Sequence, residues 1–400
     1  MFTKNIFLKL TQYIFSLVLV LFVATSWANQ HPLIDQAKIP SAPILSSKSY
    51  LLIDHNSDKI LAEKDINERV EPASLTKMMT MYVIDNELKN NNLHMEDEIL
   101  ISKNAWQAPG SRMFLEVGKK VPVKDLINGV IIQSGNDAST ALAEHIAGSE
   151  QAFADLMNVY AKILGMNNSH FTNATGLPDP EHYTTAYDMA ILTKAIIHDF
   201  PETYNIYSQK SFTYNGIEQF NRNRLLWRNN TVDGIKTGHT DSAGFCLVAS
   251  GKNADMRLTA IILGAASDEM RVTEANRLLI WGFRFFETHL VHAASQSLQN
   301  IRVWMGNAKQ LDIGLQQDLY VTIPHGQFNK LDISLSIPKI IKAPMEKGTS
   351  IGTYKIALHD KTIVEQPIIA LDTIKTGGLW NRIKDSSILS IQALLEKVKM

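Results

Sequence analysis

The chain has 400 residues, 45% of them hydrophobic, and 39 Lys and Arg against 40 Asp and Glu leave a formal net charge of -1. That length and apolar content predict two or three domains, each with its own core, and exclude a globally disordered chain. So neutral a chain has no bulk field for holding a polyphosphate, which argues against nucleic acid as a partner, and the single cysteine, Cys246, excludes an intramolecular disulfide and a cysteine-built metal site.

Lys4 and Lys9 precede an apolar run at 14–23, and small residues follow at Ser26 and Ala28. This is the pattern of a secretory signal peptide (residues 1–28) cleaved after Ala28. An uncleaved membrane anchor is the competing reading, for which the run is short. Residues 29–47 are polar and proline-containing, as in an N-terminal linker. Segments 49–54 and 59–62 flank His55-Asn-Ser-Asp58 and predict a hairpin. Glu71-Pro-Ala-Ser-Leu-Thr-Lys77 then runs into the apolar segment 78–84, which predicts a helix start with Pro72 just upstream and Ser74 and Lys77 on one face.

From about 96 to 290 the pattern is mostly helical, with periodic stretches at 123–132, 137–146, 152–164 and 188–197. Short apolar strands follow at 232–236, 243–250 and 256–264, the second holding Cys246 as a buried strand residue, and an amphipathic helix over about 266–288 closes the unit. Strands at both ends of a helical middle predict a sheet covered by helices over residues 29–290. Beyond His292 the runs are short and alternating, at 319–323, 331–337, 351–356 and 362–364, broken by Pro324, Pro338 and Pro344. Residues 291–377 are therefore expected to form a small all-β domain. In residues 378–400 a helix would carry Trp380, Ile383, Ile388, Ile391, Leu394, Leu395 and Val398 along one side, with Arg382, Lys397 and Lys399 towards the other. Such a helix suits a membrane interface, with packing on the β domain as the alternative.

A serine is a weak nucleophile, but a lysine three residues on can take its proton if desolvation and nearby positive charge lower the amine's pKa. The N–H groups at a helix start favour the negative charge that then develops. Ser134-Gly135-Asn136 falls in the turn between two helical stretches, where a hydroxyl and an amide can project into a cleft; alone it merely makes a turn. Lys236-Thr237-Gly238 is expected to end the strand that begins at Val232, and Gly238 leaves room for a ligand backbone. Lys375-Thr376-Gly377 repeats the tripeptide after the β region and reads as a decoy, since only the copy at Lys236 follows the other two motifs and has strands on both sides.

Ser-x-x-Lys, Ser-x-Asn and Lys-Thr-Gly in that order are the signature of penicillin-recognising serine acyl-transferases. With the longer strings at 71–80, 134–138 and 232–240, and Asn221-Arg-Asn223 before Leu225-Leu-Trp227, the chain resembles the low-molecular-mass penicillin-binding proteins that act as D-alanyl-D-alanine carboxypeptidases. The resemblance implies an α/β (α+β) transpeptidase-like domain with an antiparallel sheet covered by helices. It also implies that Ser74 attacks the carbonyl between the two terminal D-alanines of a peptidoglycan stem peptide. Lys77 would be the general base, Ser134 a proton relay, and Asn136 the group holding Lys77 and the substrate amide. Lys236 and Thr237, with Arg222, would receive the terminal carboxylate, Gly238 would adjoin the bound substrate, and the backbone N–H groups of Ser74 and His239 would form the oxyanion hole. No metal or cofactor is implied. β-Lactams would be inhibitors, and the enzyme would sit on the periplasmic face of the bacterial inner membrane, held through residues 379–400.

Two alternatives remain at this point, a β-lactamase and a non-catalytic cell-wall binder. One β-lactamase class activates water with an extra glutamate. The comparable segment 173–183 contains Asp179 and Glu181, both read as solvated, as is His182. Arg224 and Arg228 are expected to add charge near the cleft.

Overall fold

The computed structural model describes residues 39–398, so the signal-peptide reading of residues 1–28 lies outside the described residues. Strands β1 (Ser49–Asp54), β2 (Ile60–Lys64), β3 (Val232–Thr240), β4 (Gly244–Asn253) and β5 (Met256–Ala265) form one antiparallel sheet in the order β2-β1-β5-β4-β3. The apolar runs 246–249 in β4 and 260–263 in β5 are buried, as strands covered on both faces require. Cys246 is fully buried among them, and burial raises its thiol pKa to about 11.

The longer helices are α1 (Thr76–Lys89), α2 (Asn136–Ala147), α3 (Glu150–Leu164), α4 (Ala186–Asp199), α5 (Asp268–Phe285) and α6 (Leu379–Val398). Ser149, Thr185 and Ser267 cap α3, α4 and α5 by accepting from the backbone N–H three residues on. α1 is buried from Thr76 to Asp85, so it is the axis of the helical layer rather than a surface helix. One core joins it to Leu51 of β1, Val248 of β4 and Ile261 of β5. α5 covers the sheet too, and Gly282 lets it close on Leu258 and Leu52, since a Cβ there would stand 2.5 Å from Leu258.

Two sequence boundaries move. β3 does not end at Lys236-Thr-Gly: its ladder with β4 continues through Thr237↔Leu247, Gly238↔Cys246 and His239↔Phe245 to Thr240↔Gly244. The closing helix stops at Phe285, and Phe286–His292 is a strand paired antiparallel with Leu319–Pro324. Phe286 and Thr288 are buried while Glu287 and His289 are only partly so, a period of two that a helix cannot satisfy.

The β-rich region contains a six-stranded sheet over its own core, which includes Leu311, Ile313, Val321, Ile356 and Ile368. Thr376 bridges to Gly306, and the Gly377 N–H donates to the Met305 carbonyl at 2.8 Å, so the second Lys-Thr-Gly is tied to this region. α6 follows, with Leu379, Trp380, Ile383, Ile391, Leu394 and Leu395 all exposed. No helix among the described residues is long and apolar enough to cross a membrane.

Candidate active site

Ser74 lies in a 3-10 turn, Ala73–Leu75, that feeds directly into α1, so Lys77 is one turn along from it. Ala73 holds the turn open with a φ of 49°, and Gly176, at φ 84°, presses against it from the segment after α3. A Cβ on Gly176 would stand 1.9 Å from the Ala73 carbonyl oxygen, so this approach requires glycine. Gly238 does the same from β3, where a Cβ would meet the Pro72 carbonyl at 2.8 Å and the Leu75 nitrogen at 3.2 Å. β3 is an edge strand of this sheet, without a strand partner on its outer side among the described residues, and its residues 237–240 line the cleft beside Ser74.

The Lys77 ammonium position is fully buried and meets three oxygens: Ser74 Oγ at 3.2 Å, Asn136 Oδ1 at 2.6 Å and the Thr175 carbonyl at 2.6 Å. Burial lowers its pKa to about 7, against the opposing pull of Asp137 and Glu150. Desolvation is the largest cause, and the buried Lys236 interacts with Lys77 as a like charge, the nearby positive charge expected from the sequence. The consequence is chemical. Two of the partners can only accept, so a neutral amine donates its two protons to Asn136 and Thr175 and turns its lone pair to the Ser74 hydroxyl. Asn136 is oriented for this by donating through Nδ2 to the Pro109 carbonyl at 2.5 Å.

Ser134 stands just before α2 in the left-handed region, φ 65°, and its hydroxyl is buried without a partner among the described residues. A cleft of about 300 Å³ brings Ser74, Ser134, Asn136, Arg222, Thr237 and His239 to one surface, together with Gly238 and Arg271. Lys236 is not in that wall but buried behind it, donating to the Thr237 carbonyl at 3.4 Å. Burial lowers its pKa well below the ordinary lysine value, with Lys77, Arg222 and Arg271 acting in the same direction. Arg222 is exposed, its Nη2 at 3.4 Å from Ser111 Oγ on the opposite lip. The His239 ring is exposed and stacked on Phe245, centroids 3.9 Å apart.

Two expectations change. His182 is not solvated but 2% exposed, with Nε2 at 2.8 Å from Thr76 Oγ1 and Nδ1 accepting from the Thr172 N–H at 3.2 Å. It pins the segment bearing Thr175 to the first turn of α1. Arg224 and Arg228 add no free charge to the cleft, because Arg224 pairs with Asp268 at 3.0 Å and Arg228 with Glu269 at 2.5 Å. Glu181 is exposed and Asp179 partly so, and neither lines the cleft, whose wall contains no carboxylate among the described residues.

Sequence reading also missed Arg271 and Asp137. Arg271 Nη1 donates to the Gly238 carbonyl at 2.8 Å and the Cys246 carbonyl at 3.2 Å, bracing β3 from α5, while Nη2 donates to Asp268. Asp137 accepts from the N–H groups of Met113 and Leu115 at 3.0 and 3.1 Å, holding the lip that ends in Ser111. Only Asp137 had a local signal, its place beside Asn136.

A helix-covered antiparallel sheet with a serine at a helix start, a desolvated lysine beside it and an open edge strand opposite is the layout of a serine acyl-transfer enzyme. Residues 36–267 match the D-alanyl-D-alanine carboxypeptidase family, and residues 286–376 match the C-terminal domain of penicillin-binding protein 5. D-alanyl-D-alanine carboxypeptidase DacC of Escherichia coli (strain K12) is 43% identical over 92% of this chain and 93% of its own. Penicillin-binding protein 5 of Haemophilus influenzae superposes with a TM-score of 0.81 at 40% identity, covering 84% of this chain and 99% of that one. Penicillin-binding protein D2 of Listeria monocytogenes, in its ampicillin-bound form, superposes with a TM-score of 0.57 at 27% identity over 61% of this chain and 100% of its own. The chain belongs to the D-alanyl-D-alanine carboxypeptidase family, and it is a serine hydrolase.

Proposed function

We propose that this serine-type D-alanyl-D-alanine carboxypeptidase removes the terminal D-alanine of peptidoglycan stem peptides through an acyl-enzyme on Ser74. The observation that carries the reading is the Lys77 amine held between Ser74, Asn136 and Thr175 with its pKa brought to about 7. Neutral Lys77 takes the Ser74 proton as Oγ bonds to the carbonyl carbon, and the negative charge on the carbonyl oxygen is met by the N–H groups of Ser74 and His239. The Ser134 hydroxyl hands a proton from Lys77 to the departing D-alanine nitrogen, the C–N bond breaks, and the amine of Lys77 is neutral again. It then takes a proton from water, whose oxygen attacks the ester carbonyl; the C–Oγ bond breaks, Lys77 gives the proton to Ser74 Oγ, and the shortened peptide leaves with a new carboxylate. Thr237 and Arg222, with Lys236 behind them, receive the substrate carboxylate, while Asn136 and the edge of β3 hold the peptide.

β-Lactams acylate the same serine. A cleft wall without a carboxylate supports slow release of that adduct over glutamate-assisted β-lactamase chemistry. The exposed apolar side of α6 supports peripheral attachment to the periplasmic face of the inner membrane.

The test is intact-protein mass over time after adding penicillin, beside Ser74→Ala, with free D-alanine assayed on a D-alanyl-D-alanine peptide. A lasting single adduct that requires Ser74, together with D-alanine release, is expected. Rapid loss of the adduct without peptide turnover would make the chain a β-lactamase, and no adduct at all would make the motifs scaffold.

A further inference from the structure

A second cavity, of about 480 Å³, lies against the C-terminal half of α1 and shares no lining residue with the active-site cleft. Leu88, Leu93, Met95 and Phe200 give it an apolar wall, in which Asp85 and Thr203 are polar members, while Lys89, His94 and Glu202 line it from exposed positions and Asp199, half-buried, accepts from the Tyr82 hydroxyl. Asp85 is 2% exposed, and neither carboxylate oxygen has a hydrogen-bond partner among the described residues. The Thr203 hydroxyl favours the ionised form, but its one proton goes to the Phe200 carbonyl at 3.3 Å. The buried Tyr207 hydroxyl also lacks a partner and is close enough for Asp85 to act on its ionisation.

A buried carboxylate without a donor is costly, and it is stabilised by a cation that reaches it. Burial raises the Asp85 pKa to about 7, so the anion is substantially populated at neutral pH. A divalent metal needs several oxygen ligands, and no group of three or more His, Cys, Asp or Glu side chains suited to a metal occurs among the described residues. The apolar wall instead matches an organic cation. Phe200 already accepts one: the Lys89 Nζ lies 5.4 Å from its ring centroid. Lys89 is four residues after Asp85, a spacing that permits a direct pair, yet its ammonium rests over the ring.

We propose that this cavity binds a small primary ammonium with an apolar body, its charge meeting Asp85 and its hydrocarbon lying on Leu88, Leu93, Met95 and Phe200. The site is independent of the acyl-transfer reading. The test titrates the full chain with benzylamine and, separately, with its neutral isostere benzyl alcohol, both followed by ligand-observed NMR. Benzylamine is expected to bind at least about tenfold more tightly than the alcohol, the worth of one charge-assisted hydrogen bond. Asp85→Asn is expected to erase that preference while its rate of acylation by penicillin stays at the wild-type value. Acylating Ser74 beforehand is expected to leave benzylamine binding unchanged, which separates this site from the cleft. Equal binding of the two probes, no binding of benzylamine, or its loss on acylation would each overturn the proposal. The two-probe comparison uses the wild-type chain alone, so it decides even if Asp85→Asn fails to fold.

Discussion

Lys77 is expected to set the pH dependence of acylation. Its pKa lies near 7 because the amine is buried, so the neutral, proton-accepting form grows as pH rises through that value. The second-order rate of acylation by penicillin is therefore expected to climb from roughly pH 6 to pH 8 and then level; a flat profile would remove Lys77 from the role of base. Lys77→Met should lower the same rate by about a thousandfold. His182 gives a second expectation, of opposite kind. Burial first of all holds its pKa down at about 4 against an ordinary 6.5. Between those values the unfolded chain binds a proton the folded chain refuses, so stability falls as pH drops through that window, by on the order of 3 kcal/mol for this group. Urea midpoints at the two ends of the window should draw closer in His182→Asn than in wild type; identical slopes would show that the ring is not the titrating group. Ser74, Lys77, Ser134, Asn136 and Lys236 were legible because each sits in a short motif whose spacing means something locally. His182 and Arg271 were not, because the partners that define them, Thr76 and Gly238, lie 106 and 33 residues away.

At the scale of elements, Ser74 is positioned by two backbones that approach its turn through glycine. Gly176 is the sharper case, since an alanine there would drive a methyl into the Ala73 carbonyl and hold a φ that L-residues avoid. Gly176→Ala is expected to remain folded by circular dichroism and to acylate about a hundredfold more slowly, the effect of shifting a reacting group by an ångström. An unchanged rate would mean that the turn tolerates displacement. The helices were readable from their period and the central strands from unbroken apolar runs. The length of β3 was not, because Thr237, His239 and Thr240 are polar and their extended form comes from pairing with β4. The change from helix to strand at Phe286 was hidden for a related reason: the pattern 281–288 is apolar enough for either, and pairing with Leu319–Pro324 decides it.

In the whole molecule, the cleft is built from residues 74 to 271, and neither the β-rich region nor α6 contributes a side chain to it. Chemistry and the proposed attachment are thus expected to be separable. The Asp385 carboxylate accepts from the Met305 N–H at 2.7 Å and stands 3.7 Å from Arg302, which fixes the second turn of α6 to the β-rich region. Past that point Ile391, Leu394 and Leu395 are largely exposed. Arg382 and Lys384 supply positive charge beside the exposed Trp380 and Ile383, a pairing suited to anionic headgroups. The full chain is accordingly expected to sediment with anionic lipid vesicles. Added salt should weaken this only in part, because salt screens the basic residues and leaves the apolar contribution. Deleting residues 379–400 should abolish sedimentation while leaving the penicillin acylation rate unchanged. A truncated chain that still sediments would place the attachment elsewhere in the molecule, and a truncated chain that loses acylation would show that α6 supports the cleft after all.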